Sequence, residues 1–230
     1  MSGVKMVCLA SSRKNTGRCV AGRSFRAGKF GKWVRVVSAR PTRELQEGER
    51  VCEDGTSAKV LDIVEVPILQ PAPEHYQTEN QLLDTTQRWR RLGRVTWDAL
   101  QSAVEEPETL WVNGHSSSYL GENDRVPLSA LGSIRYSLYL IRPSGLLLRS
   151  TGVPDKRGRT KVRIRAEFEF RGQRYNLAVT DPELPWVLKL PLLFSDGTVA
   201  VPQGLLCVSL GEVFDGFAYK LVATIICPGE

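Results

Sequence analysis

Lys161-Val162-Arg163-Ile164-Arg165-Ala166-Glu167-Phe168-Glu169-Phe170 alternates apolar and charged side chains, and Arg171-Gly172 then turns the chain into Gln173–Thr180. A period of two places Val162, Ile164, Ala166, Phe168 and Phe170 on one face and the charged residues on the other. Two such runs joined by a tight Gly-containing connection read as a β-hairpin. In its second strand Tyr175 shares a face with Leu177 and Val179, which marks it as a core residue. Downstream, Leu205–Leu210 and Phe217–Ile226 read as strands. The last is apolar on both faces, so it belongs in the middle of a sheet. Upstream, Ser137–Arg142 completes a set of about five strands in the second half.

The first half holds three or four strands: Val4–Ala10, Arg18–Gly22, Trp33–Ala39 and Val60–Leu69. Between Val4–Ala10 and Arg18–Gly22, Ser11–Gly17 reads as a polar turn, and Arg23–Lys32 as a flexible basic loop. In Trp33–Ala39, Trp33, Arg35 and Val37 share one face. Helical signals cluster in the middle. Thr78 and Gln81 have capping-box spacing ahead of Leu82, Leu83, Thr86 and Trp89, with Gly93 at the end. Thr96 caps a second helix over Trp97, Leu100 and Val104, stopped by Pro107. The pattern predicts a mainly β protein with a small helical connector. Two OB-like β-barrels fit the strand count, because closing a short-stranded sheet removes its edges. A β-sandwich fits the pattern nearly as well. The expected domains are 1–75, a connector at 76–134, and 135–230.

The chain has 230 residues, 42% hydrophobic, with a net charge of +6. That content excludes a largely disordered chain, and no run of about 18 apolar residues predicts a membrane span. Met6–Ala10 is too short for the core of an export signal and is followed at once by Arg13 and Lys14, so a cytoplasmic location is expected. Five cysteines, an odd number with no Cys-x-x-Cys pair, fit reduced thiols. Cys8, Cys207 and Cys227 lie in apolar runs and read as small core residues. No metal or cofactor is predicted.

The charge is unevenly placed. Residues 1–43 carry 11 basic residues and no acid, whereas 44–134 carry 7 basic and 16 acidic residues. Residues 146–174 are basic again, with 9 cations against 3 acids. A compact block of such charge needs a compensating anion. Either the acidic middle segment of the same chain supplies it, or a polyanion such as nucleic acid does. Neither basic block has the amphipathic helical stripe of a membrane-surface segment.

Three constellations suit nucleic acid. Ser11–Arg18 combines Ser11, Arg13, Lys14 and Arg18 with a glycine, a chemistry that cradles phosphate; a solvated basic turn is the alternative. Trp33 between Arg35 and Arg40 offers an aromatic face among cations for a stacked base; the alternative is a core Trp33 and an Arg35 paired with Glu or Asp. Lys156, Arg157, Arg159, Lys161, Arg163 and Arg165 form a basic arm that would track a backbone without reading sequence; a solvated face is the alternative. For an enzyme, Cys19 among cations is the candidate nucleophile, with Glu79 or Asp124 as an assisting acid; the alternatives are a buried thiol at the start of a strand and polar groups that cap loop ends. His115 beside Ser116, Ser117 and Ser118 lacks the Gly-x-Ser-x-Gly pattern and reads as a turn.

Several segments together carry a resemblance. They include Cys8-Leu9-Ala10-Ser11-Ser12-Arg13-Lys14, Trp33-Val34-Arg35-Val36-Val37-Ser38-Ala39-Arg40-Pro41, Tyr76-Gln77-Thr78-Glu79-Asn80 and Leu110-Trp111-Val112-Asn113-Gly114. Asn123-Asp124-Arg125-Val126-Pro127 and Tyr219-Lys220-Leu221-Val222 belong to the same set. Across essentially the whole chain they resemble the bacterial dual OB-containing domain proteins. That resemblance implies two OB-like barrels and an association with nucleic acid, in modification or defence. The expected function is nucleic-acid binding, with other proteins of the same system as further partners. An enzyme acting on a base or nucleotide through Cys19, and a scaffold docking an acidic protein, are the alternatives.

Overall fold

The computed structural model describes residues 2–118, 120–154, 160–184 and 197–229. By contacts the chain divides into two compact units, 1–104 with 135–138, and 105–134 with 139–230. The segment 76–134, expected as a connector, is therefore shared between them.

The first unit is built on β1 (Ser2–Lys14), β2 (Gly17–Arg26), β3 (Lys29–Val37), β4 (Asp62–Pro71), β5 (Asn80–Leu83) and β6 (Arg90–Arg94). β1 is long enough to serve two neighbours. Its first half pairs with β4 from Ser2↔Ile68 to Val7↔Ile63, and its second half pairs with β2 from Met6↔Ser24 to Lys14↔Gly17. β2 pairs with β3, β3 runs parallel to β5, and β5 pairs with β4. The order β1-β2-β3-β5-β4-β1 closes a five-stranded barrel. The bend that lets β1 change partners falls at the register shift between Cys8 and Ala10. There Gly22 is required, since a Cβ would stand 1.9 Å from the Val7 carbonyl oxygen. Met6, Cys8, Val20, Val34, Val36, Val64, Val66, Leu83 and Trp89 fill the interior.

The expected helix after Thr78 does not form. Asn80–Leu83 is the barrel-completing strand, and the Thr78 hydroxyl donates to the Arg135 carbonyl instead of capping. The spacing of Leu82, Leu83, Thr86 and Trp89 fits a helix locally. Burial of Leu83 and Trp89 in a β core outweighs it. The second helical signal holds only at its start: α1 (Trp97–Leu100) begins at Thr96, whose hydroxyl accepts the Ala99 N–H at 3.2 Å, but it gives way to a 3-10 turn over Gln101–Ala103 and Val104 is extended.

The second unit contains β7 (Arg125–Pro127), β8 (Leu138–Ile141), β9 (Ser144–Pro154), β10 (Thr160–Phe170), β11 (Gln173–Val179), β12 (Gly197–Ala200), β13 (Leu205–Phe214) and β14 (Phe217–Ile226). Its sheet runs β12-β9-β10-β11-β14-β13-β8, with β7 on β14 and a parallel β11–β14 pair. This repeats the first barrel's strand order, with the role of its first strand divided between β8 and β9. The break falls at Arg142-Pro143, where proline cannot donate to a ladder. The β10–β11 hairpin has the expected faces, with Ala166, Phe168, Phe170, Tyr175 and Leu177 buried. β14 is central, bonded to β13, β11 and β7. Among the described residues no helix is long and apolar enough to cross a membrane.

Candidate functional site

The N-terminal basic block separates into paired and unpaired cations. Arg18 lies 4.0 Å from Glu47, Arg35 3.2 Å from Glu79, Arg40 2.7 Å from Glu49 and Arg43 3.3 Å from Glu74. All four acids come from the acidic stretch that follows, so the chain neutralises this part of the block itself. Arg26, Lys29 and Lys32 are exposed and have no acidic partner among the described residues.

These three cations sit on the β2–β3 hairpin, at residues expected to be a flexible loop. Phe25 pairs with Phe30 and Arg26 with Lys29 across a tip of Ala27 and Gly28, both at positive φ (48° and 76°). Two left-handed residues match the twist of a two-residue hairpin. The Phe25 and Phe30 rings lie 5.0 Å apart and tilted by 59°. Behind them Arg23 stands over Trp33, 5.6 Å from the ring centre, and donates to the Gly31 carbonyl. The result is a half-buried aromatic pair near the end of a hairpin that also carries the exposed cations Arg26, Lys29 and Lys32. An in-register Phe-x4-Phe around Ala-Gly was the sequence signal for it.

The other expected nucleic-acid contacts fare differently. Trp33 is buried and covered by Arg23, so it presents no open stacking face. Ser11 is buried within β1, and the polar turn shrinks to Asn15 and Thr16, with Arg13 exposed beside it and Lys14 half-buried. Arg18 and Arg40 are held by Glu47 and Glu49, Arg40 with two contacts of 2.7 and 2.9 Å. Lys156, Arg157 and Arg159 lie outside the described residues, and Lys161 is placed in β10. Arg163 is exposed on that strand, whereas Arg165 is turned inward onto Asn176 and Asp124.

Arg35 is the hub of a buried cluster instead of a surface contact. Its Nε donates to Glu79 Oε1 at 3.2 Å, one terminal nitrogen to Cys19 Sγ at 3.1 Å and the other to Ser137 Oγ at 2.7 Å. Ser137 in turn donates to Glu79. Cys19 and Glu79, singled out separately as nucleophile and acid, thus meet on one guanidinium. The two charges compensate each other in a site closed to water. Asp124, the other candidate acid, lies in the second unit. Its oxygens accept the Ser117 N–H and hydroxyl, both at 2.7 Å, and an Arg165 N–H at 3.2 Å. With those acceptors filled it organises the loop at 113–125. Ser116 donates no proton to His115; its hydroxyl accepts the Asn123 N–H, which leaves the His–Ser stretch a turn.

Lys220 was not anticipated as a special residue. On β14 its ammonium is buried, donating to the Val112 carbonyl at 2.8 Å and Asn113 Oδ1 at 3.0 Å, 5.2 Å from the Tyr175 ring centre. Burial pushes its pKa from 10.5 down to about 7, against an opposing pull from Asp124. In the unfolded chain Lys220 keeps its proton to higher pH, so unfolding takes up a proton between those values. Stability should therefore rise as pH goes from about 7 to about 10.5 and be indifferent to this group below about 7. Urea melts of wild type and Lys220→Met across that window test this; equal pH slopes would refute it.

A closed five-stranded barrel of order 1-2-3-5-4-1, followed by a second sheet of the same order, defines a protein of paired OB folds. The chain belongs to the dual OB-containing domain family, whose pattern it matches over residues 4–225. No curated protein and no solved structure shows significant similarity to it.

Proposed function

We propose that the chain binds single-stranded nucleic acid on the β2–β3 hairpin of its first barrel. The observation that carries this reading is that Arg26, Lys29 and Lys32, on the same hairpin as the Phe25–Phe30 pair, have no acidic partner among the described residues, in a chain that pairs Arg18, Arg35, Arg40 and Arg43 with its own acids. In OB folds the face of strands two and three is where oligonucleotides lie. The cations neutralise phosphates without reading sequence, and the rings offer π-faces that any base can stack on. Action within a nucleic-acid modification or defence system is the setting that the family resemblance implies.

Fluorescence anisotropy with labelled single- and double-stranded DNA and RNA, over a salt series, tests the reading. Reversing Arg26, Lys29 and Lys32 to Glu should lower the magnitude of the log–log salt slope by about 2, at roughly 0.7 per phosphate contact on a single strand. Affinity should fall on the order of 100-fold. Arg40→Gln, which removes an already paired cation, should leave binding nearly unchanged. Equal losses from both variants would reject the hairpin as the site.

A further inference from the structure

The β13–β14 hairpin of the second unit repeats the construction of β2–β3 with the opposite charge. Phe214 pairs with Phe217 across Asp215 and Gly216, both at positive φ (50° and 77°). Its apolar side chains are strongly exposed: Phe214 by 73% and Val213 by 45%, with Leu128 at 59% tied alongside by its N–H to the Gly216 carbonyl at 2.9 Å. Phe217 is covered by the Arg125 guanidinium, 4.0 Å from the ring centre, so Phe214 is the ring left outward. The exposed charges at this tip are two acids, Glu212 and Asp215, while the one cation beside them, Arg125, is half-buried against Phe217. An outward aromatic at a tip that also exposes Val213 and Leu128 has the composition of an interface anchor. The two exposed carboxylates disfavour a phosphate backbone there.

We infer that this acidic apolar tip docks the basic aromatic tip of a second copy of the chain, β13–β14 of one molecule against β2–β3 of the next. Glu212 and Asp215 meet Arg26, Lys29 and Lys32, and Phe214 meets Phe25 and Phe30. The two surfaces differ, so the contact is head-to-tail and leaves one unused tip of each kind at the ends of a pair. Two hairpin tips bury far less than the area of a stable interface, so association is weak and reversible. It is weakened by salt, because its charges are exposed. It also covers the hairpin assigned above to nucleic acid. The association itself does not depend on that assignment; competition between the two does.

Sedimentation velocity over a concentration series reaching the high-micromolar range is the test. Wild type should show a rising mean mass that falls back on adding salt. Phe214→Ser, which lacks one tip, and Lys29→Ser with Lys32→Ser, which lacks the other, should each stay monomeric. Mixed in equal amounts they should form a one-to-one pair and nothing larger, because one intact tip of each kind remains. Monomeric wild type throughout, self-association of Phe214→Ser, or a mixture that stays monomeric would overturn the proposal. Oligonucleotide binding by the monomeric Phe214→Ser protein tests the nucleic-acid reading separately, so either can fail without the other.

Discussion

Arg35→Met is expected to destabilise the first barrel by about 3–5 kcal/mol, the cost of stranding one charge of a buried pair. Methionine matches the apolar stem of Arg35 but supplies no donor to Glu79, Cys19 or Ser137. The Arg35 and Glu79 side chains are only 5% and 4% exposed, so water cannot take the place of the lost partner. The same argument predicts recovery. Arg35→Met with Glu79→Leu removes both charges and should regain most of the loss, since two apolar groups bury at little cost. Urea unfolding of the two variants decides it. A double variant as unstable as the single one would mean that packing around Arg35, and not the stranded carboxylate, carries the effect.

Asp124→Ala should cost the second barrel about 3 kcal/mol, at the lower end for breaking a buried ion pair. The lower end applies because Arg165 keeps its contact with Asn176 Oδ1 at 2.7 Å. What is lost is the pin of the 113–125 loop: both Ser117 bonds go, and the carboxylate packed against Gly121 leaves a gap. Amide hydrogen exchange should rise in that loop and along Arg125–Pro127, which pairs with β14. Asp124→Asn keeps an acceptor for the Ser117 N–H and should fall between the two. Unchanged exchange in 113–125 would show that the loop holds without this residue.

Local patterns in the chain were readable where they agreed with the final environment. The alternation of Val162 to Phe170 and the two-sided apolar run of Phe217–Ile226 needed no distant information, and both strands formed as expected. The segment after Thr78 misled because its spacing satisfies a helix locally, while its burial is decided by β3 and β4, tens of residues away in sequence. An acidic partner for Arg35 was one of the two readings of its strand, but that the partner is Glu79 was hidden for the same reason: 44 residues separate the two, and only barrel closure brings them together. Charge counting located the basic block but could not sort it. Which cations stay unpaired depends on where Glu47, Glu49, Glu74 and Glu79 fold back.

The first unit reaches past its own last strand to take residues 135–138, and Ser137 supplies one of the bonds to Arg35. During synthesis, at about 5–20 residues per second, strands β1 to β6 leave the ribosome well before that serine does. For several seconds the first barrel is thus built around an unfinished buried pair. The residue that completes it is followed directly by Leu138, the first residue of β8. The first barrel is therefore completed only after residues 105–134 of the second unit have been made.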